Sequence, residues 1–590
     1  MKILNRLLVL PRPRPFSFSF PLLLTVKVAV AVLLASCSSV PSPTIADDAD
    51  QSAAPVKVKI IAFNDFHGNL KIPSLTVRVP DATQPTGFRN ERAGGIEQMG
   101  ALIASVKAKS LNVAVVSAGD MVGASPLLSA LFQDEPTIEA MNIVEVDFNA
   151  LGNHEFDYGI DHIRRLQAGG CAINARTNLA DCSGREANRA TFAGANFKFL
   201  AANVVFTATN QTLFPAYAIK EFEGIKIAFI GVVTRETPAL VRPGGTAGVT
   251  FLDEAESVNA LIPGLRQQGV EAIVVMIHEG GLQSGGINDC ADFTGVLKPI
   301  VEKFDPAVDV VTSAHSHRAY ICDFAGKLTT SAGSYGTLIT EIDLSLDRNT
   351  RKVISKSAQN LIVSPDGPKD ARLTELVEKY QRLSEPREKK VVGRITREVS
   401  LVTDAAGESS LGNLIADAHL SATASPNKGG AVIAFNNPGS LRAPIIPAAD
   451  GSVNYGALFT VQPFQNNLIV MTMTGKQIKN ALEQQTFSGM RPRLLGVSKG
   501  FSYTWDALRP KGDNIITQSM KLNGEMMQPD LQYRVAANSF LAGGSEGLTA
   551  FRAGTDRFTS DLDIEALVAY LSEHSPLTPG PIGGRLRRLN

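Results

Sequence analysis

The chain of 590 residues carries no excess charge of either sign: 57 lysines and arginines balance 57 aspartates and glutamates, and no basic stripe breaks the balance. That absence argues against a nucleic acid polymer as partner and points to a small one. Cysteine is scarce, with five in the whole chain. None falls in the ligand-bearing segments described below, which excludes a thiolate-bound structural zinc there. Long apolar runs are nearly missing too. The one at roughly residues 16–35 is interrupted by Lys27 and barely reaches spanning length, so it argues against a permanent membrane helix. What remains is an ordinary globular balance, 44% hydrophobic and 19% charged. The chain is too long for one ordinary core, so two domains are expected.

Residues 1–37 read as an export signal. Lys2, Arg6, Arg12 and Arg14 precede the apolar run, which ends in Leu34-Ala35-Ser36-Cys37. A small-residue site after such a run marks secretory cleavage. The tetrapeptide also resembles a bacterial lipobox, in which Cys37 would carry a lipid anchor; an ordinary cleaved signal is the alternative. Residues 38–55, rich in Ser, Pro, Ala and Asp, would form a flexible tether. The expected location is the periplasm or cell envelope. Four further cysteines suggest two disulfides in an oxidising compartment. Three pairings are open. The one adopted joins Cys171 to Cys182 across a polar loop and Cys290 to Cys322 between two loops that each follow a histidine motif; free buried thiols are the alternative.

From Val56 to about Leu346, short β-branched runs such as Val56–Phe63, Val113–Val116, Ile225–Ile230 and Ala272–Ile277 alternate with helix-length segments. That texture predicts α/β layering with largely buried sheets. Gly95–Ala108 and Glu254–Gln267 have the pattern of intervening helices. Residues 347–390 read as a linker containing a charged helix at 370–381. Residues 391–590 read as a second unit with an early helix near Leu411–Ala418. No internal repeat or low-complexity block follows the leader.

Five segments of the first unit end an apolar run with metal-ligand residues: Asp65-Phe66-His67, Gly119-Asp120, Gly152-Asn153-His154-Glu155, His278-Glu279 and His315-Ser316-His317. In an open α/β sheet the carboxyl ends of strands share one crevice. Asp65 and His67 are two apart, as are His315 and His317, and in extended backbone each pair would point to one side. Only eight histidines exist, and five lie in these segments. That concentration outweighs the structural explanation that any lone histidine would deserve. The donor set is carboxylate, imidazole and one amide, which suits Zn, Mn, Fe or Co. Seven ligands exceed what one ion takes, so two divalent metal ions bridged by Asp120 are expected. Such a pair acidifies water and neutralises charge in phosphoryl transfer.

These segments, in this order, resemble the calcineurin-like metallophosphoesterases. More narrowly they resemble the secreted 5′-nucleotidase family, which includes bacterial UDP-sugar hydrolases. The resemblance implies a four-layer α/β/β/α sandwich at 56–346, followed by a mixed α/β substrate-binding domain at 391–590. It implies that Asp65, His67 and His317 hold one metal and Asn153, His278 and His315 the other, with Asp120 between. His154, oriented by Asp157, would be the catalytic histidine. One departure is Ala314, where relatives usually have glycine.

In the second unit, Asn437-Pro438-Gly439-Ser440-Leu441-Arg442 is similar to the family's Asn-x-Gly-x-Ile-Arg loop. Gln462-Pro463-Phe464 and Asn538-Ser539-Phe540 are similar to the segments whose phenylalanines sandwich the base. The implied substrate-binding residues are Asn437, Arg442, Phe464, Phe540 and Glu546. Glu546 stands where the family commonly has aspartate, and Gly407 lies where some relatives carry a phosphate-binding arginine. The expected substrates are nucleotides or nucleotide sugars. The rival activities are a 2′,3′-cyclic nucleotide phosphodiesterase with 3′-nucleotidase activity, and a nucleotide-binding surface lipoprotein without turnover.

Overall fold

Strands buried on both faces need no polar alternation, and the β-branched runs of the first unit assemble into two six-stranded sheets. The computed structural model describes residues 54–173, 180–181, 192–241, 244–485 and 493–590. The expected export signal, Cys37 and all but the last two residues of the tether lie outside them. The first sheet runs in the order Val353–Ile362, Leu338–Leu346, Val56–Phe63, Val113–Ser117, Phe148–Ala150 and Lys198–Leu200. The second runs Tyr217–Phe222, Ile225–Val233, Ala272–His278, Val310–Ser313, Lys327–Ala332 and Ala319–Phe324. Both have parallel centres; the second has antiparallel strands at both edges, whereas the first is antiparallel on the Val353–Ile362 side and parallel out to Lys198–Leu200.

Val58, Ile60 and Ala62 of the first strand face Ile227, Phe229, Val274 and Met276 of the second sheet, which forms the core between the sheets. Ile61 and Phe63 point the other way, against Ile96, Met99 and Ile103 of the helix Ile96–Lys107 and against the helix Glu135–Val144. Helices Glu254–Gln267 and Leu297–Lys303 cover the far side of the second sheet. The result is the expected α/β/β/α order. Each Val, Leu or Ile buried this way contributes about 1.5–3 kcal/mol.

Residues 347–390 do more than link. Val353–Ile362 is the edge strand of the first sheet, and the helix Ala371–Glu388 buries Leu373, Leu376, Val377 and Tyr380 in the same core as Phe63. The helix runs through Glu385–Glu388, where the sequence suggested a linker. Beyond it lie a five-stranded mixed sheet, with Ile433–Asn436, Gln532–Asn538 and Asn467–Thr474 adjacent, and a four-stranded sheet. The helix Ser410–Thr423 starts where Ser409 Oγ accepts the Gly412 N–H. Residues 54–590 form one compact unit.

Cys290 and Cys322 are joined as a disulfide, and Cys171 is disulfide-bonded as well. Cys182 lies outside the described residues. Among the described residues, no helix is long and apolar enough to cross a membrane.

Candidate active site

Every sequence-predicted ligand sits at or just beyond the carboxyl end of a strand. Asp65 and His67 follow Val56–Phe63, Asp120 follows Val113–Ser117, and Asn153 follows Phe148–Ala150. His278 closes Ala272–His278, while His315 and His317 follow Val310–Ser313. Both sheets therefore feed one place. The donor atoms gather into two groups, Asp65 with His67 and His317, and Asp120 with His278 and His315. Asp120 Oδ2 lies 3.5 Å from His67 Nε2 and 3.1 Å from His278 Nε2, so it touches both groups. Asn153 Oδ1 lies 3.1 Å from His278 Nε2 and joins the second.

The pairs two residues apart converge for a reason other than strand alternation. Asp65, His67, Asp120, His315 and His317 all have φ between 47° and 68°, the left-handed region. Non-glycine residues avoid it on steric grounds, and such strain costs of order 1–3 kcal/mol per residue, so the surroundings must impose it. Backbone hydrogen bonds do so. The N–H groups of Asp65 and His67 donate to the carbonyls of Gly119 and Asp120 at 3.0 and 2.9 Å, and the His315 N–H donates to the Asp65 carboxylate. Glycine serves close approach here. A Cβ on Gly152 would lie 2.2 Å from Asp120 Oδ1, and one on Gly119 would lie 2.6 Å from the Gly152 nitrogen.

The ring orientations fit cation binding. His67 Nδ1–H donates to the Gly123 carbonyl at 2.8 Å and His278 Nδ1–H to the Ala118 carbonyl at 3.0 Å. Because a carbonyl only accepts, each ring is left presenting Nε2 to the cluster. The His67 and His317 Nε2 atoms approach to 3.2 Å. Two imidazole nitrogens facing each other beside buried carboxylates suit a shared positive charge. Burial works against ionised Asp120, yet the imidazoles of His278 and His154 hold its carboxyl well below the usual range. At His278 burial is likewise outweighed, chiefly by Asp120, and the imidazole is pushed up to about 10.

His154 lies beside the clusters, its Nδ1–H donating to Asp157 Oδ2 at 2.8 Å. Burial favours its neutral form, but Asp157 and Asp120 raise its pKa above the ordinary value. The neighbouring Glu155 is no part of either cluster. Its carboxylate accepts the backbone N–H groups of Asp120, Met121 and Gly152 at 2.7–3.0 Å, locking two ligand loops together.

A cavity of about 460 Å³ opens from this point, lined by Asp120, Asn153, His154, Arg442, Phe464, Phe540 and Glu546 among others. Phe464 stacks on His154 with centroids 5.6 Å apart and planes 22° from parallel. Phe464 and Phe540 are only partly buried, unlike the core residues Phe435, Phe501 and Phe551. Glu546 Oε1 accepts from Asn437 Nδ2, and Asn437 Oδ1 accepts from Asn538 Nδ2, both at 3.1 Å. Asn437 thus organises two loops as well as lining the cavity. Gly407 is not in the lining; it turns against Leu494 at φ 88°.

Two residues escaped the sequence reading. Tyr335 rests edge-on against His67 and His317 at 5.7 and 5.3 Å. Asp563 receives the amide of Asn466, which lines the cavity together with Phe464. Neither sits in a ligand-like motif, although the glycines flanking Ser334-Tyr335 do signal unusual backbone there.

Comparison with known proteins agrees with this geometry. Residues 391–553 match the 5′-nucleotidase C-terminal domain. The chain is 31% identical over 570 residues to a cell wall protein of Listeria monocytogenes, covering 90% of this chain and 69% of that protein. It is 31% identical over 522 residues to an endonuclease of Bacillus subtilis, covering 88% of this chain but only 40% of that longer protein. A 5′-nucleotidase precursor from Thermus thermophilus superposes with a TM-score of 0.70 at 25% identity, over 90% of this chain and 99% of that one. Fold and site together define a phosphohydrolase of the 5′-nucleotidase type, with two candidate cation clusters at the mouth of an α/β/β/α sandwich. The chain belongs to the 5′-nucleotidase family, with the characteristic C-terminal domain.

Proposed function

We propose that this protein is an exported hydrolase of nucleotide phosphate esters or anhydrides, acting as a 5′-nucleotidase, a UDP-sugar hydrolase or both. The observation that carries the reading is one cavity containing both Asp120, whose carboxylate contacts a histidine of each ligand cluster, and the Arg442–Phe464–Phe540 set. In this reading residues 56–346 form the catalytic domain, 347–390 complete its first sheet and core and lead out of it, and 391–590 form the domain that selects substrate. Asp65, His67 and His317 would hold one divalent cation and Asn153, His278 and His315 the other, with Asp120 placed to serve both. Cations held there would supply Lewis-acid charge and lower the pKa of the attacking water.

The remaining work falls to the chain's own groups. Asp157 fixes the His154 tautomer through Nδ1, leaving Nε2 to offset charge on the phosphoryl group or give a proton to the leaving oxygen. Arg442 offers a permanently charged planar fork to an anionic group. Phe464 and Phe540 offer π-faces to a base, worth roughly 1–3 kcal/mol each and tolerant of base identity. Glu546, longer than aspartate and braced by Asn437, would bias the choice of sugar. Export, a lipid anchor at Cys37 and a Cys171–Cys182 bridge complete the proposal.

The test is a substrate panel on purified protein reconstituted with Mn, Zn or Co. It should contain AMP, UDP-glucose, 2′,3′-cyclic AMP and a DNA oligonucleotide, the last because one relative is an endonuclease. Phosphate or sugar-phosphate release from AMP or UDP-glucose is expected. Preference for the cyclic nucleotide or for DNA would replace this substrate assignment, and no turnover of any of them would leave a binding protein.

A further inference from the structure

Tyr335 is a bulky aromatic residue held at φ 59°, between Gly333 at 71° and Gly336 at 66°. Side chains of that size avoid the left-handed region, so something must hold it there. Its N–H donates to the Asp65 carbonyl at 2.8 Å, and its ring packs edge-on against His67 and His317. The ring is thereby fixed to the wall of the first ligand cluster. At its outer end the phenol oxygen accepts a hydrogen bond from Arg442 Nη2 at 3.3 Å, across 107 residues of sequence.

Arg442 needs such a contact. Its guanidinium lies 5.8 Å from the Phe464 centroid, and its charge is felt at His67 and His154, so it stands over the reacting end of the cavity. Among the described residues it forms no ion pair. A carboxylate partner would hold the side chain but cancel its charge. A phenol oxygen takes up one N–H without any cancellation, and the rest of the fork stays free for an anion.

We propose that Tyr335 is the positioning residue for Arg442, aiming its fork at the anionic part of the substrate by tying it to the wall of the ligand cluster. The inference rests on the nucleotide reading above. It assigns part of substrate affinity to a residue of the catalytic half that lies outside every ligand motif.

Tyr335→Phe keeps the ring and deletes only the phenol oxygen. Four full-length proteins would be compared: wild type, Tyr335→Phe, Arg442→Ala and the double variant. Readouts are kcat and KM for AMP, calorimetric binding of the non-hydrolysable analogue α,β-methylene-ADP, and bound metal by elemental analysis. Tyr335→Phe should weaken analogue binding and raise KM by roughly tenfold, the usual scale for losing a hydrogen bond to a charged group, with kcat and metal content little changed. In the Arg442→Ala background the same change should have almost no effect, because the group it positions is gone. Additive losses, a loss of metal or an unaltered single variant would overturn the proposal. If Arg442→Ala behaves as wild type while AMP is still hydrolysed, this inference falls and the nucleotidase reading survives. Wild-type protein that neither binds nor hydrolyses nucleotide removes both.

Discussion

The two ends of the cavity are built in opposite ways. At the sheet end, Asp65, His67, Asp120 and His278 are almost completely buried, and most of the ligand residues are held in left-handed backbone by hydrogen bonds from other loops. At the other end, Phe464 and Phe540 are partly exposed, and among the described residues Arg442 is held by a single side-chain hydrogen bond. Chemistry that needs atoms fixed to a few tenths of an ångström is placed on strand ends with strain built in. Recognition that must admit different bases is placed on loops with fewer constraints. The difference predicts that substitutions at the sheet end destroy turnover, whereas those at the loop end shift affinity.

The largest effect should come from Asp120→Ala, which removes the carboxylate that contacts both clusters. Turnover should fall by on the order of 10³-fold or more, together with bound metal. Activity near the wild-type level would break the bridge assignment and with it the contrast between the two ends. Gly152→Ala should come next, because its methyl group would lie 2.2 Å from Asp120 Oδ1. The variant should fold, since the clash is confined to the ligand loops, but retain less metal by elemental analysis; full occupancy would show that the loops are more pliable than their hydrogen bonding implies. Phe464→Ala should raise KM for nucleotides by roughly tenfold, the equivalent of about 1.4 kcal/mol of lost stacking. A fall in kcat of the same size, with KM unmoved, would instead place the Phe464–His154 stack in the chemistry.

The smallest effect concerns the support of the loop end. Asp563 is buried, and burial pushes its carboxyl from 3.8 up to about 7 despite hydrogen bonds from the Ile564 N–H and the Asn466 amide. Between those values the folded protein holds a proton that the unfolded chain releases, so this group's contribution to stability declines as pH rises from about 4 to about 7. Asp563→Asn should remove that decline. The melting temperature of the variant relative to wild type should therefore climb from pH 5 to pH 8, by a few degrees at most, at roughly 1 °C per kcal/mol for a unit of this size. Parallel curves would show that Asp563 does not carry this proton.

Much of the architecture could be read in advance because the central strands have no polar face to disguise them. Val56–Phe63 and Ala272–His278 stand out as apolar runs, and each leads into or ends on a ligand. The edge strand Val353–Ile362 reads as linker in sequence because its exposed side chains, Ser355, Ser357 and Gln359 among them, look like those of a loop until the neighbouring strand pairs with its backbone. The two-residue spacing of Asp65 and His67 indicated convergence, but the reason inferred from extended backbone was wrong. The loops are left-handed, imposed by partners at Gly119 and Asp120 that lie some fifty residues away. Glu155, to which the sequence assigns no role, is the clasp for three backbone N–H groups.

The sequence by itself determined which atoms are available: the carboxylate, amide and imidazole donors, their order, the strands that precede them, and the glycines that let loops come close. Those are local properties, set by side-chain chemistry and by the burial preference of short runs. Only the tertiary structure decided which donors share a cluster, why Asp120 touches both, and that Tyr335 and Arg442 meet across the cavity. Such meetings depend on two sheets and a distant domain converging in space, and no feature near residue 335 encodes what stands near residue 442.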